Sequence, residues 1–413
     1  MLAHRNSTLY LFSLLVYWAA LPTIAVTPSD VDSNNTAKRA QQKSIEYYQT
    51  KISQLELQGG AYSNELGQEV LSLGTAYQTI NQHELAVKQF ERALHLNRVD
   101  EGLYSKNQLP ILKKLITSLK AQKRWKLVNN WYHYQYWLHT LNYNVDDDKM
   151  LKNMMDFANW NLKSYSQGYS DMPIDHLITA YKTLEKLTEL ISTKYGETHI
   201  ENIGALHGLM IANYFVAISS ETRAIQTGQE NQPMIGPSTI GVLKRKSFRV
   251  GKEIVNKEIK ILTNQPVKDH LRIVNAMLKL ADWELMYGKT QSATKDYHIA
   301  YQYAKEHDTN NNFRQQLFSK PIALPNFPQL TLNSSEHLPQ QSTSTHQQYV
   351  HASFNVTPNG RARAIKVLSA KPKSTSSIRA KAVKFLRASR FRPRINNGLL
   401  AATEHTKLHI FVD

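Results

Sequence analysis

Apolar residues recur at spacings of three and four from residue 37 to 310, with few prolines between them, and this period predicts a succession of amphipathic helices. Beyond residue 348 the pattern changes. Residues 351–356, 364–368 and 403–412 read as strands, and the last alternates, with Leu408, Ile410 and Val412 on one face. Residues 375–389 read as a helix with Ile378, Ala382, Phe385, Leu386 and Ser389 on one side. The order after residue 348 is therefore strand, strand, helix, strand. Between the two regions, Pro321, Pro325, Pro328 and Pro339 stand among Ser, Thr, Gln and Asn without any period, which predicts a linker. The expected division is a targeting segment over 1–25, a helical domain over 37–318, a linker over 319–347 and a small α+β domain over 348–413.

The targeting segment rests on residues 9–21, LYLFSLLVYWAAL, an apolar run that follows Arg5 and ends at Pro22. Thr23 and Ala25 supply the small residues that precede cleavage of a secretory signal peptide. An uncleaved anchor stays open beside it, because the run extended to Val26 approaches the roughly 20 residues a membrane span needs. Both readings export the chain, to the periplasm as a free or inner-membrane-anchored protein. Membrane contact is expected only through this segment, if it stays uncleaved.

One helical stretch has a sharper pattern. Over residues 67–100, Leu73, Gly74, Tyr77, Ala86, Phe90 and Ala93 occupy positions 7, 8, 11, 20, 24 and 27 of a 34-residue frame. This resembles the tetratricopeptide (TPR) repeat, whose small residues let two helices of a hairpin approach closely. Asn81 falls at the turn, where a left-handed conformation is useful. A second copy starts at Val274 and places Leu280, Ala281, Gly288, Ala293, Tyr297 and Ala300 in the same frame, with Glu284 in place of the aromatic at position 11. Leu115, Ile116, Leu119, Val128 and Tyr132 fit a degenerate copy, and residues 174–220 read as two long helices joined near residues 195–199. The expected fold is mainly α, a TPR-like solenoid followed by the small α+β domain. Solenoids of this kind bind protein partners on a concave surface. Trp125, Trp131, Tyr132, Tyr134, Tyr136, Trp137 and Tyr143 form the densest aromatic group. Two readings stay open for it: packing between helices, or a binding groove carried by Trp125, Trp131, Tyr134 and Trp137.

The terminal domain resembles the C-terminal domain of TonB, the periplasmic arm of an energy-transducing system. The resemblance rests on Phe354, Val356, Asn359, Gly360, Val367, Ser369 and Pro372, then a helix, then Arg390, Phe391 and Pro393, with Gly398 before the last strand. It implies a short antiparallel sheet whose final strand pairs with a segment of an outer-membrane transporter by strand addition. Carried over, Thr406, Lys407, Leu408, His409, Ile410 and Phe411 are the pairing edge. The resemblance also implies a second function, that of a membrane-anchored transducer. Against it, the apolar run 9–26 contains no histidine, and a helical region stands where the family has a proline-rich spacer.

Composition changes this picture in two ways. The net charge of +17 invites a nucleic-acid partner, but thirteen of the 50 Lys and Arg residues, opposed only by Glu404 and Asp413, lie in the last 68 residues. The charge belongs to one small exported domain, so nucleic acid is not favoured. The absence of cysteine removes disulfides, thiolate metal sites and cysteine nucleophiles. No serine, histidine and acid stand in a nucleophile context, and residues 236–241 begin like a phosphate-binding loop but continue with Val242 and Leu243 where Lys and Ser or Thr are required. His405 and His409 sit four apart on a strand and do not make a metal site. Asp146, Asp147 and Asp148 read as a helix cap, and Lys244, Arg245 and Lys246 as a solvated helix start. No catalytic, metal-ligating or cofactor-binding residue is expected, and the protein reads as a non-enzymatic scaffold.

Overall fold

The computed structural model describes residues 28–63, 65–219, 239–308, 312–325, 349–371 and 376–411. The signal-peptide expectation, residues 236–238 of the loop expected at 236–241, and Pro372 lie outside them. Two compact units emerge, one from Met1–Leu103 with Asn107–Gln122, the other from Tyr104–Lys106 with Lys123–Asp413. Among the described residues no helix is long and apolar enough to cross a membrane.

The first unit holds α1 (Pro28–Gly59), α2 (Leu66–Thr79), α3 (His83–Glu101) and α4 (Gln108–Ala121). The frame at 67–100 is the α2–α3 hairpin. Phe90 is fully buried against Gly74, where a Cβ would come within 2.8 Å of its ring. A side chain at position 8 therefore excludes the aromatic at position 24, and burying that ring contributes on the order of 2–3 kcal/mol. Asn81 turns the chain with φ 60°, as its place between the helices predicts. Gln49 donates to the Tyr77 hydroxyl at 2.8 Å and Gln78 donates to the Ser118 hydroxyl at 2.8 Å, tying α1 and α4 to α2.

The second unit begins with α5 (Trp125–Asn142), α6 (Asp148–Gln167), α7 (Pro173–Tyr195), α8 (Asn202–Ile218), α9 (Thr239–Thr263), α10 (His270–Met286), α11 (Thr290–His307) and α12 (Asn312–Phe318). Asp147 caps α6 by accepting from the Lys149 N–H at 2.7 Å. The two long helices expected near 174–220 are α7 and α8, joined where Gly196 takes φ 99°. α6 packs on α7, α8 on α9, and α10 on α11. At Gly251 a Cβ would come within 2.2 Å of the Trp283 indole, so α9 and α10 meet over a bare backbone. The second frame is the α10–α11 hairpin, with Ala281, Ala293, Tyr297 and Ala300 fully buried and Gly288 turning the chain at φ 73°. The chain thus carries a TPR-type helical repeat and is mostly helical.

After α12 come β1 (Ile322–Leu324), β2 (Tyr349–Val356), β3 (Ala362–Lys371), α13 (Ser376–Ala388), β4 (Arg390–Arg392), β5 (Arg394–Asn396), β6 (Leu399–Ala401) and β7 (Thr403–Phe411). β2 is central in a sheet of order β3-β2-β7, antiparallel on both sides. Val350, Ala352, Phe354 and Val356 alternate inward and meet Ile378, Ala382 and Leu386 of α13. The Thr357–Gly360 turn closes with Gly360 N–H on the Thr357 carbonyl at 2.9 Å.

Two expectations need correction here. Phe385 does not join the inner face of α13; it is 56% exposed. The segment read as linker contains the strand β1, which pairs with β4 through Ile322↔Arg392, Ala323↔Phe391 and Leu324↔Arg390. Three residues are too few to leave a period. The terminal strands lie in the same compact unit as α5 to α12.

Candidate protein-interaction site

The expected pairing strand, β7, is an edge strand of its sheet. On its inner side it pairs with β2 in the register Phe354↔Thr406, Ser353↔Lys407, Ala352↔Leu408, His351↔His409, Val350↔Ile410 and Tyr349↔Phe411. Opposite β2, this three-stranded sheet has no further strand on β7 among the described residues. Leu408 and Ile410 pack with the core, whereas Lys407 is exposed. Lys407 and Lys366 both pair with Ser353, so a cationic row crosses the outer face of the sheet.

The two ends of β7 differ. Between Phe354 and Val356 the register slips, so that Glu404 and His405 stand opposite Asn355 alone. His405 takes φ 54°, and its N–H donates to the Asn355 side chain at 3.1 Å. Such a bulge disrupts pairing and twists an edge away from a new strand. The regular edge is therefore 406–411, the same six residues carried over from the family resemblance.

The motif residues behind that resemblance build the support for the edge. Phe354 and Phe391 are buried with their rings 5.0 Å apart. Gly360 has φ 69°, and a Cβ there would lie 2.3 Å from the Phe391 carbonyl oxygen and 2.9 Å from Leu285 of α10. Gly398 turns β5 into β6 at φ 82°, where a Cβ would come within 2.7 Å of His298 on α11. Both glycines let the sheet domain lie directly on the last helical hairpin.

A buried ion pair fixes that seat. Arg392 and Asp282 are 3% and 6% exposed, and the guanidinium donates to both carboxylate oxygens, at 2.9 and 2.6 Å. The Tyr297 hydroxyl donates to the same carboxylate at 2.7 Å. Burial, reinforced by the Asp282 charge, pushes the Tyr297 hydroxyl well above its ordinary pKa. None of these three is identified from the sequence as functional. The one available signal is Tyr297 itself, a hydroxyl at a frame position that must be buried and so must find a partner.

Glu284, the departure from the repeat frame, is 1% exposed and accepts from Lys252 of α9 at 2.6 Å. A cation from the preceding helix thus replaces the aromatic contact. Asp296 of α11 faces the same carboxylate, and burial together with the Glu284 charge pushes its pKa up to about 6.

The aromatic group on α5 divides between two roles. Tyr132 stacks on Trp160 of α6 with centroids 4.8 Å apart, Tyr136 on Phe157 at 4.5 Å, and Trp125 on Tyr169 at 3.9 Å. These rings join helices, Trp125 included. Trp131, Tyr134 and Trp137 instead form a chain of edge and tilted contacts along α5, with centroids 5.7 and 5.5 Å apart, and Trp137 is 42% exposed. Of the four groove candidates, these three share one side of the helix. Among the described residues no group of three His, Asp or Glu is placed to hold a metal ion.

No family model and no curated protein matches the chain. Similar solved structures include a Podosopora anserina kinesin light chain with nearly identical TPR-like repeats, at 12% identity and TM-score 0.39, covering 59% of this chain and 97% of that one. BtubC (BKLC) from P. vanneervenii is similar at 12% identity and TM-score 0.36, covering 65% of this chain and 93% of that one. At this distance the likeness assigns neither family nor partner.

Proposed function

We propose that the protein is an exported periplasmic scaffold that joins two protein partners. The helical repeats take one partner on their stacked surface, and β7 takes an extended segment of an outer-membrane or other envelope protein by strand addition. The observation that carries this reading is the edge position of residues 406–411, regular in register and, among the described residues, paired on one side only. Main-chain hydrogen bonds supply affinity in such a contact, and alternate side chains supply specificity. The row of Lys407 and Lys366 favours a partner strand with an acidic residue facing the same side.

A photo-crosslinking amino acid placed in turn at residues 406 to 411 tests this in cells. Adducts to one envelope protein from β7, with yield alternating along the strand, are expected. Equal adducts from β3 positions such as Ser369, or none, would count decisively against strand addition. The apolar run at 9–26 favours a second reading, an anchored transducer of the TonB type. N-terminal sequencing of the mature protein separates the two, because a start at Val26 removes the anchor.

A further inference from the structure

We propose that the arginine cluster around β4, where the terminal strands meet α10, binds a phosphate group through Arg361, Arg390 and Arg392. Arg390 and Arg392 stand two residues apart on β4, so both side chains leave the same face of the strand. Arg361 pairs with Arg390 across the edge of β4 that β1 does not occupy, which puts a third arginine on that face. Like charges directly opposite one another destabilise a strand pair. Among the described residues neither Arg361 nor Arg390 has a carboxylate partner, and Asp282 is the one acid paired with Arg392. The cluster therefore holds two unbalanced positive charges.

Arg392 uses Nε and Nη2 on Asp282, and its Nη1 is buried without a hydrogen-bond partner. Arg390 Nη1 is buried and unpartnered as well. A buried donor without an acceptor is costly, and a guanidinium cannot relieve that cost by losing its proton. Water would satisfy the donors without balancing the charge, so an anion is the fitting partner. A phosphate group carries about −1.5 to −2 near pH 7, which matches the excess where a single carboxylate does not. Its oxygens also accept from planar guanidinium forks two at a time. On the β1 side Arg390 and Arg392 stand opposite Leu324 and Ile322, so the row of cations stops there. A single anionic group fits such a site better than an extended polymer, which needs a continuous basic track. Arg361 is exposed and Arg390 half-buried, so the approach is from the Arg361 side. This site is independent of strand addition at β7.

Thermal unfolding of the full chain in sodium phosphate, against sodium chloride of equal ionic strength, tests the assignment, with calorimetric titration giving Kd. Phosphate is expected to raise the melting temperature saturably, and chloride is not. Arg390→Gln should weaken phosphate binding about tenfold or more, through loss of a charge-assisted hydrogen bond. Should that variant lose its fold by circular dichroism, the exposed change Arg361→Gln carries the test with the same expected loss. Lys366→Gln removes the same charge from the outer face of the sheet and should bind phosphate as the native protein does. Glycerol phosphate in place of inorganic phosphate separates two sources of the group. Equal binding assigns the free ion, and tighter binding assigns the terminal phosphate of a larger molecule. No effect beyond chloride, undiminished binding in Arg390→Gln and Arg361→Gln, or an equal loss in Lys366→Gln overturns the assignment.

Discussion

At the scale of single residues, the Arg392–Asp282 pair has the clearest consequence. Replacing Arg392 by Met leaves a carboxylate buried without its counter-charge, which costs about 3–5 kcal/mol. Replacing the whole cluster, with Arg392→Met, Asp282→Leu and Tyr297→Phe, should recover most of that loss, because no unpaired polar group then remains. Denaturant unfolding of the two variants checks both statements. Asp296 has a different signature. Its pKa is raised to about 6 from an ordinary 3.8, so the folded state holds this proton more tightly than the unfolded chain does. Stability from this group is present at low pH and is lost as pH rises from about 4 to about 6. The melting temperature of Asp296→Asn relative to the native protein should therefore increase across that window and level off above it. A flat difference would remove the Glu284–Asp296 interaction from the account.

Among elements, β7 is the one whose two halves have different work. The bulge at Glu404 and His405 depends on the Asn355 side chain, which accepts the His405 N–H. Asn355→Ala should cost about 1 kcal/mol and speed hydrogen exchange of the His405 amide, while the amides paired with β2 beyond residue 406 stay protected. Loss of protection along all of β7 would mean that the bulge sets the register of the whole strand. The repeat hairpins were readable as elements because their spacing rules are local: Gly74 against Phe90 and Asn81 at the turn follow from a frame of 34 residues. The exposure of Phe385 was not readable. Its helical angle lies at the margin of the apolar face, and only packing against the sheet decides on which side such a residue falls.

On the scale of the whole molecule, the second compact unit includes both the helices from α5 onward and the terminal strands, with β1 crossing to β4 and Arg392 reaching Asp282. A protease recognition sequence inserted within residues 326–348 should therefore give two fragments that still co-elute on gel filtration. Separation of the fragments after cleavage would restore the picture of a tethered tail. The sequence alone determined the helical repeat, the succession of β2, β3, α13 and β7 in the tail, though not the short β4, β5 and β6 between the last two, and the concentration of positive charge there. Each depends on periodicity or composition within a few tens of residues. The β1–β4 pairing, the seat of Gly360 and Gly398 on α10 and α11, and the buried Arg392–Asp282–Tyr297 cluster were decided by tertiary structure. Those contacts join residues up to 110 apart in the chain, and a charged residue read by itself gives no sign of whether burial and a partner await it.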